Sequence, residues 1–191
     1  HCHNDMGMAA ACTVTAVLSG VRHVQGTISG FGERCGNANL GTVIPVLEWK
    51  LGFSCIGETH LARLTPVVRA VNEAANRTMS ENEPFVGGYA FAHKAGTHID
   101  GVRKSPRAFE HMDPAVVGNR RNFVVSSQSG RAALLGRMRE YLSPAEADRL
   151  TKNSPELLEL WDLLRERESL GYDYEDAEAS LALLIAQTLG R

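Results

Sequence analysis

The sequence lacks three features that often assign a protein to a class: cysteine motifs, long apolar runs and an excess of basic charge. Its 191 residues hold four cysteines and no C-x-x-C pair, which argues against a disulfide scaffold or a zinc ribbon. No apolar run approaches the ~20 residues of a membrane span. Twenty Lys and Arg against 22 Asp and Glu leave no basic field for nucleic acid. We therefore expect a cytoplasmic protein with no nucleic-acid or membrane partner, and 43% hydrophobic residues suffice for a core.

The first quarter of the chain alternates between helix and strand patterns. Small apolar residues over 8–18, followed by Gly20, predict a helix and its end. Residues 21–28 are rich in Val, Thr and Ile and predict a strand, and a second helix is expected over about 38–51. This rhythm is typical of α/β proteins with a parallel sheet or barrel. A full (β/α)8 TIM barrel needs roughly 250 residues, so we expect a fragment with the last β/α units of a barrel.

The remainder predicts mainly helical subdomains after the barrel. A helical pattern over 58–78 contains Pro66, which either kinks the helix or opens a second one with Thr65 as its N-cap. Glycines without a regular period make residues 79–106 loop-rich, and 122–126 is a short strand candidate. Further helices are expected after the caps Asp113, Ser143 and Ser154 and over about 174–189.

Composition and pattern divide the chain into three expected parts. These are the end of a barrel (1–56), a linker or subdomain that includes a loop with His98 (57–125) and a helical subdomain (126–191). In the last part an apolar stripe occupies one helical face and predicts core packing or an interface, formed by Leu157, Leu160, Trp161 and Leu164.

The motif His1-Cys2-His3 is the first candidate for chemistry. Side chains two residues apart on a strand point to the same side, and two imidazoles on one side form half of a metal site. Asn37 follows the next predicted strand, so its amide oxygen can reach the same end of a barrel. Two histidines and Asn37, with a carboxylate from elsewhere, suit a divalent ion that also holds water and substrate oxygens.

Other enzyme classes also use two histidines with this spacing. Metallo-β-lactamase-like hydrolases open with H-x-H-x-D-H, but Met6 stands at the sixth position here. Amidohydrolases carry the pair near the start of a barrel and need several further strands with ligands. A surface or core pair of histidines also remains open at this stage.

The turn that precedes Asn37 is rich in glycine. It reads GFGERCGN over 30–37, which departs from the dinucleotide pattern because no third glycine falls where G-x-G-x-x-G needs one. We interpret it as a strand-to-helix turn in which Glu33 pairs with Arg34 or supports a metal ligand. Asp5, next to the histidine motif, is expected in a supporting or helix-capping role rather than as a ligand.

A second group of polar residues surrounds His98. The segment AFAHKAGTH over 90–98 places this histidine among small residues, where we expect a loop that can present the side chain to substrate. Histidine is the usual proton carrier near neutral pH, although a purely structural histidine is an alternative from the residues alone.

Two long motifs in order carry a family resemblance. Residues 1–11 read HCHNDMGMAAA and residues 26–40 read GTISGFGERCGNANL. PFVGG at 84–88, AFAHKAGTH at 90–98 and EHMDP at 110–114 follow. This pattern resembles the 2-isopropylmalate, homocitrate and citramalate synthase family, and it is most similar to the citramalate synthase branch.

The resemblance implies a metal-assisted Claisen condensation of acetyl-CoA with a 2-oxo acid, pyruvate being favoured, followed by thioester hydrolysis in branched-chain amino-acid biosynthesis. It implies a divalent ion (Mg, Mn, Zn or Co) held by His1, His3 and Asn37, with a further Asp ligand from an early barrel strand. It also implies a homodimer in which His98 is catalytic and reaches the partner subunit's site. Phe109 stands where the family usually has a tyrosine.

Within this family, 2-isopropylmalate or homocitrate synthase is the alternative activity. An alternative of another class is a non-catalytic dimerisation module that retains the motifs. We expect the fragment alone to be inactive, because the Arg and Glu residues of the early strands are missing from it.

Overall fold

The computed structural model describes residues 1–125, 130–174 and 177–190. The protein is α/β and about half helical, with one small parallel sheet among the described residues. Two compact units divide the chain: His1–Phe91 with Met112–Arg121, and Ala92–His111 with Asn122–Arg191. The division into three parts expected from the sequence stays a prediction. Across the described ranges, no helix is both long and apolar enough to cross a bilayer.

The first unit contains four helices in its described residues. They are α1 (Ala9–Leu18), α2 (Leu40–Pro45, continued by a π-helical turn at Val46–Lys50), α3 (Glu58–Leu61) and α4 (Leu64–Ala74), and short 3-10 turns lie at Ile28–Gly30 and Pro114–Val117. The predicted end of α1 is confirmed, because Gly20 takes a left-handed φ of 106°. The predicted second helix is also confirmed, and the Asn39 side chain caps it by accepting the Gly41 N–H at 2.8 Å.

The pattern around Pro66 resolves into two helices, but Thr65 does not cap the second. Arg63 occupies the N-cap position of α4. Thr65 is inside the helix and 3% exposed, and its hydroxyl donates to the Val117 carbonyl at 2.7 Å. Pro66 falls in the first turn, where its missing N–H removes no intrahelical bond. The prediction of Thr65 as a cap is therefore wrong, because a tertiary hydrogen bond claims its hydroxyl.

The strand predicted over residues 21–28 is not formed. Among the described residues, this segment forms a single isolated β-bridge, between Thr27 and Asn39. A β-rich composition makes a strand only where a neighbour accepts and donates along its length. Residues 21–23 are instead exposed, and the segment ends in the 3-10 turn at Ile28–Gly30.

The second unit combines a short parallel sheet with helices. Its elements are β1 (Ala92–His93), α5 (Gly96–Lys104), a 3-10 turn (Pro106–Ala108), β2 (Asn122–Phe123), α6 (Gly130–Glu140), α7 (Pro144–Arg149), α8 (Pro155–Ser169) and α9 (Glu178–Thr188). β1 and β2 pair in parallel, with Ala92 opposite Asn122 and His93 opposite Phe123. The strand candidate over 122–126 is confirmed in its first residues, and Ser126 lies outside the described residues.

Of the two capping signals predicted in the second unit, the one at Ser143 is confirmed and the one at Ser154 is confirmed in position only. Ser143 and Glu146 form the predicted capping box of α7, with the Glu146 carboxylate accepting the Ser143 N–H at 2.9 Å. Ser154 sits at the N-cap of α8, but its hydroxyl accepts the Thr151 N–H instead of capping the helix. The last helix begins at Glu178, later than predicted, and part of the predicted span at 175–176 lies outside the described residues.

Separate apolar clusters stabilise the two units. In the second unit the predicted stripe on α8 is confirmed, because Leu157, Leu160 and Leu164 are fully buried and Trp161 packs against the same cluster. In the first unit α1 and α2 pack through Ala9, Ala38, Val43 and Leu47. A second cluster there includes Leu61, Val68, Phe91 and Val117. The α1–α2 packing fixes the two segments that carry the histidine motif and Asn37.

Candidate metal and proton-transfer sites

His3 and Asn37 are held opposite each other by an isolated antiparallel bridge. The flanking bonds, from Asn4 N–H to the Gly36 carbonyl at 2.8 Å and from Ala38 N–H to the Cys2 carbonyl at 3.0 Å, make this a non-hydrogen-bonded pair. In such a pair the two side chains share one face and the Cα atoms approach to about 4.5 Å. The bridge therefore brings together two residues that are far apart in the sequence.

His1 lies beside His3 on the same segment. The two imidazole rings meet edge to face, with ring centroids 4.9 Å apart. Both histidines are exposed, so their ring nitrogens are open to a ligand from outside the unit. The structure thus brings the predicted ligands His1, His3 and Asn37 into one neighbourhood.

The amide of Asn37 is oriented by its own loop. Its Nδ2 donates to the Phe31 carbonyl at 2.8 Å, and its backbone N–H donates to the Gly30 carbonyl at 2.9 Å. Glycine is required at two positions of this loop, because a Cβ on Gly32 would meet the Asn37 amide and one on Gly36 would meet the Gly30 carbonyl. The loop therefore directs the Asn37 Nδ2 group toward the Phe31 carbonyl and leaves Oδ1 on the other side.

The other end of this amide has no partner. Asn37 Oδ1 is buried and, among the described residues, is the one buried side-chain polar atom without a hydrogen bond. An acceptor left in this state costs about 1–3 kcal/mol, and such an atom in a native structure calls for an explanation such as a bound ion. An amide oxygen is a suitable ligand for a hard or borderline divalent cation.

The donor set therefore fits a divalent ion in part. Two imidazoles and an amide oxygen leave positions for a further protein ligand, water or substrate. Within the described ranges, no group of three His, Cys, Asp or Glu side chains could hold a metal by itself. His1, His3 and Asn37 would thus form a partial site that needs at least one more ligand.

Asp5 and Glu33 lie beside this site without contacting its ligands in any hydrogen bond that the structure describes. Asp5 accepts two bonds from the Arg34 guanidinium, at 2.7 and 3.0 Å. This charged hydrogen bond lowers the pKa of the Asp5 carboxyl. Glu33 is 88% exposed, and its carboxylate is 3.8 Å from Arg34. Arg34 therefore pairs mainly with Asp5 and joins the histidine segment to the glycine-rich turn.

A cleft of about 320 Å³ opens on the same turn. It is lined by six residues of the turn (Gly30, Phe31, Gly32, Arg34, Cys35 and Gly36) and by Ala75 and Arg77 of the segment that leaves α4. Its cationic residues are Arg34, which pairs with Asp5, and Arg77, so the Arg77 side is the part of the lining suited to an anionic group.

His98 lies on a helix rather than in the predicted loop. It is in the first turn of α5, where Ile99 and Val102 are buried and Lys104 pairs with Asp100 at 2.8 Å. Buried apolar residues three apart and an i,i+4 ion pair favour helix over loop. Gly96 and Gly101 masked this pattern in the sequence. The loop prediction is wrong, but His98 remains exposed.

Phe109 is the aromatic neighbour of His98. The ring centroids are 5.2 Å apart, and Phe109 is 45% exposed. Gly101 lies under the phenyl ring, because a Cβ at that position would collide with it. The residue that replaces the expected tyrosine therefore packs directly against the helix of the candidate catalytic histidine.

Sequence reasoning missed two buried carboxylates. Glu110, next to Phe109, has a side chain only 3% exposed and lies 3.0 Å from Nε2 of His93. Glu83, in the first unit, is 7% exposed. No local periodicity marks either residue. A sequence signal was available for Glu110 alone, because Glu110 and its partner His93 both fall inside the motifs quoted above.

Comparison with known proteins covers most of the chain. Residues 1–68 match the family model described as HMGL-like. Residues 85–162 match the model described as homocitrate synthase post-HMGL domain-like. The two matches follow each other in the order that the motifs predict.

The sequence is also similar to curated synthases. It is 44% identical over 190 residues to an (R)-citramalate synthase of Aquifex aeolicus, covering all of this chain and 35% of that protein. An (R)-citramalate synthase of Synechocystis is 44% identical over 190 residues, with 34% of that protein covered. A 2-isopropylmalate synthase of Parabacteroides distasonis is 40% identical over 163 residues, 85% of this chain and 33% of that protein. The resemblance predicted from the motifs is confirmed, and the chain spans about a third of the length of these relatives.

Proposed function

We propose that this chain is part of an acyltransferase that condenses acetyl-CoA with a 2-oxo acid. The basis is an HMGL-like match at residues 1–68 followed by a homocitrate synthase post-HMGL domain-like match at 85–162. Pyruvate is the favoured acceptor, because relatives named (R)-citramalate synthase match the whole chain at 40–44% identity. The product would be citramalate, and the proposed role is in branched-chain amino-acid biosynthesis.

The proposed architecture is a TIM barrel of which this chain supplies the last β/α units. The HMGL-like match supports this assignment. In a barrel, segments that follow the strands meet at one end and build the active site there. The His1–His3 segment and the loop of Asn37 would lie at that end, and an earlier strand would add the carboxylate ligand that the described residues lack.

His1, His3 and Asn37 would hold a divalent ion in this enzyme. When bound, such an ion acts as a Lewis acid on the ketone of the 2-oxo acid. The chain's own contribution is orientation: the Phe31 carbonyl fixes the Asn37 amide, and Arg34 ties Asp5 to the same turn. The Arg77 side of the neighbouring cleft would favour an anionic part of a substrate.

His98 is the proposed proton-transfer residue. Its exposed ring in the first turn of α5 can meet a substrate held elsewhere in a homodimer, and imidazole is suited to removing a proton near neutral pH. Phe109 beside it can neither donate nor accept a proton. A proton that a tyrosine would carry at this place therefore needs another carrier, and His98 is the proposed one.

The structural observation that supports the metal-dependent part of this proposal is the buried, unpartnered Asn37 Oδ1 opposite His3. The test is an assay of the full-length protein with acetyl-CoA and Mn²⁺, in which free thiol of CoA is measured with pyruvate, 2-oxoisovalerate or 2-oxoglutarate. We expect thiol release with pyruvate, and its loss after chelation of the metal. Turnover with 2-oxoisovalerate alone would reassign the substrate, and no turnover with any of the three would contradict the proposed reaction.

A further inference from the structure

Glu83 is a buried carboxylate for which the proposed chemistry has no use. It is 7% exposed and lies between the two family-matched segments, 1–68 and 85–162. Burying an ionisable group without compensation is costly, so its partners indicate what holds it there.

The partners of Glu83 form a connected polar network. Its Oε1 accepts a hydrogen bond from Asn39 Nδ2 at 2.9 Å. The Ser29 hydroxyl donates to the same carboxylate, with Oγ 3.1 and 3.2 Å from its two oxygens. Ser29 Oγ in turn accepts from Asn72 Nδ2 of α4 at 2.7 Å. One carboxylate thus joins two side chains that are distant from it in the sequence.

These two side chains lie at opposite ends of the loop that presents Asn37. Ser29 precedes Gly30, whose carbonyl accepts the Asn37 N–H at 2.9 Å. Asn39 follows the loop and caps α2 through the Gly41 N–H at 2.8 Å. The carboxylate therefore ties the start of the loop to its end, while the Asn37 amide is oriented between them.

The backbone at Ser29 has a disfavoured conformation within this network. Ser29 has a φ of 52°, in the left-handed region that residues other than glycine rarely adopt. Its hydroxyl is held from one side by Asn72 and from the other by Glu83. A disfavoured conformation persists where surrounding contacts determine it.

We propose that Glu83 is a positioning residue for the metal site: through Ser29 and Asn39 its carboxylate holds the loop that aims Asn37 Oδ1 at a divalent cation. The inference rests on the proposed metal-dependent function and adds a residue outside both matched segments. Partners that orient a metal ligand typically change metal affinity 10–100-fold when removed.

The test is titration of Mn²⁺ into the metal-free full-length protein by calorimetry, without substrates. We expect Glu83→Ala to raise the Kd for Mn²⁺ by about 10–100-fold. Glu83→Gln should restore most of the affinity, since its amide oxygen can accept from Asn39 and its NH2 group can donate to Ser29 Oγ. Glu81→Ala is the matched control: it removes a carboxylate from the same turn, is exposed and should leave the Kd unchanged.

A second variant covers the case in which Glu83→Ala does not fold. Ser29→Gly removes the hydroxyl that links Glu83 to the loop, and it places the one residue that tolerates a positive φ at this position. It should stay folded by thermal unfolding and still bind Mn²⁺ more weakly. Suppose that wild-type protein binds Mn²⁺ and that His3→Ala abolishes binding. If the folded Glu83 or Ser29 variant then keeps the wild-type Kd, the positioning role is refuted while the metal site stands. If wild-type protein binds no Mn²⁺, the metal site and the positioning role both fall.

Discussion

At the scale of single residues, His3 and His98 carry different parts of the proposed chemistry, and truncation separates them. His98→Ala should lower kcat by roughly 10²–10⁴, the usual contribution of a general acid or base, or about 3–5 kcal/mol at 1.36 kcal/mol per decade. The KM for the 2-oxo acid should barely change. His3→Ala should instead lower metal affinity and activity together.

Steady-state kinetics with a parallel metal titration distinguish the two effects. His23→Ala is the control, because it removes an exposed histidine outside both motifs. A kcat of His98→Ala within about twofold of wild type would assign His98 a structural role and require another base.

Phe109 offers a gain-of-function test at the same scale. Its ring is 5.2 Å from that of His98 and 45% exposed, so a hydroxyl on it can reach solvent without being buried unpaired. Phe109→Tyr should raise kcat if the absence of a phenol limits proton transfer, with little change in stability. Phe109→Leu, which also lacks a hydroxyl, separates a gain due to the phenol from a packing effect.

The proximity of the proposed metal ligands could be predicted from the sequence, but the contacts that support Asn37 could not. Motif and spacing place His1, His3 and Asn37 together, and their role as metal ligands stays a proposal. Glu83 was not predicted, because its partners Ser29 and Asn39 are 54 and 44 residues away in the sequence. A pairing over that separation leaves no periodic trace.

At the scale of elements, the accuracy of prediction follows the range of the interactions involved. The end of α1 at Gly20 and the capping box at Ser143 depend on neighbouring residues only, and both were predicted. The strand over 21–28 depends on partners elsewhere, and it is absent. Helix α5 was missed because its glycines suggest a loop, whereas burial of Ile99 and Val102 favours a helix.

The segment that joins the end of α2 to α3 contains a testable carboxylate clamp. The Glu48 carboxylate accepts three backbone N–H groups, from Cys55 at 2.9 Å, Ile56 at 2.7 Å and Gly57 at 2.9 Å. These bonds hold the pKa of Glu48 below its usual range, and the bond from Ile56 contributes most. Burial raises the pKa, but by less than the Ile56 bond lowers it. Because the folded-state pKa is depressed, the clamp stabilises the protein above the unfolded pKa of Glu and weakens as the pH falls through the folded value.

Replacement of Glu48 should therefore have a pH-dependent cost. Glu48→Gln should lower the free energy of unfolding at pH 7 by about 1 kcal/mol, a modest figure because the carboxylate is largely solvated. Urea unfolding at pH 7 and at about pH 4, near the ordinary Glu pKa of ~4.3, should show the difference from wild type shrinking. Glu73→Gln, on the exposed side of α4, is the control. A difference that grew on acidification would contradict the clamp.

At the scale of the whole molecule, the two candidate sites fall in different compact units: His3 and Asn37 in the first, His98 in the second. The proposed homodimer gives this separation a functional meaning, since a two-fold axis lets one subunit complete the site of the other. In that arrangement a metal ligand and a proton-transfer residue that act together belong to different chains.

Mixing two inactive variants tests this arrangement directly. A heterodimer of His3→Ala and His98→Ala chains has one site with both defects and one with neither, if His98 acts on the partner's metal site. Random exchange makes about half of the dimers mixed, so the mixture should recover about a quarter of wild-type activity. The control mixes His3→Ala with His1→Ala, in which every site keeps a damaged metal ligand and activity should stay absent. If His98 served the metal site of its own chain, each site of the heterodimer would keep one defect. The mixture of His3→Ala and His98→Ala would then be as inactive as its components.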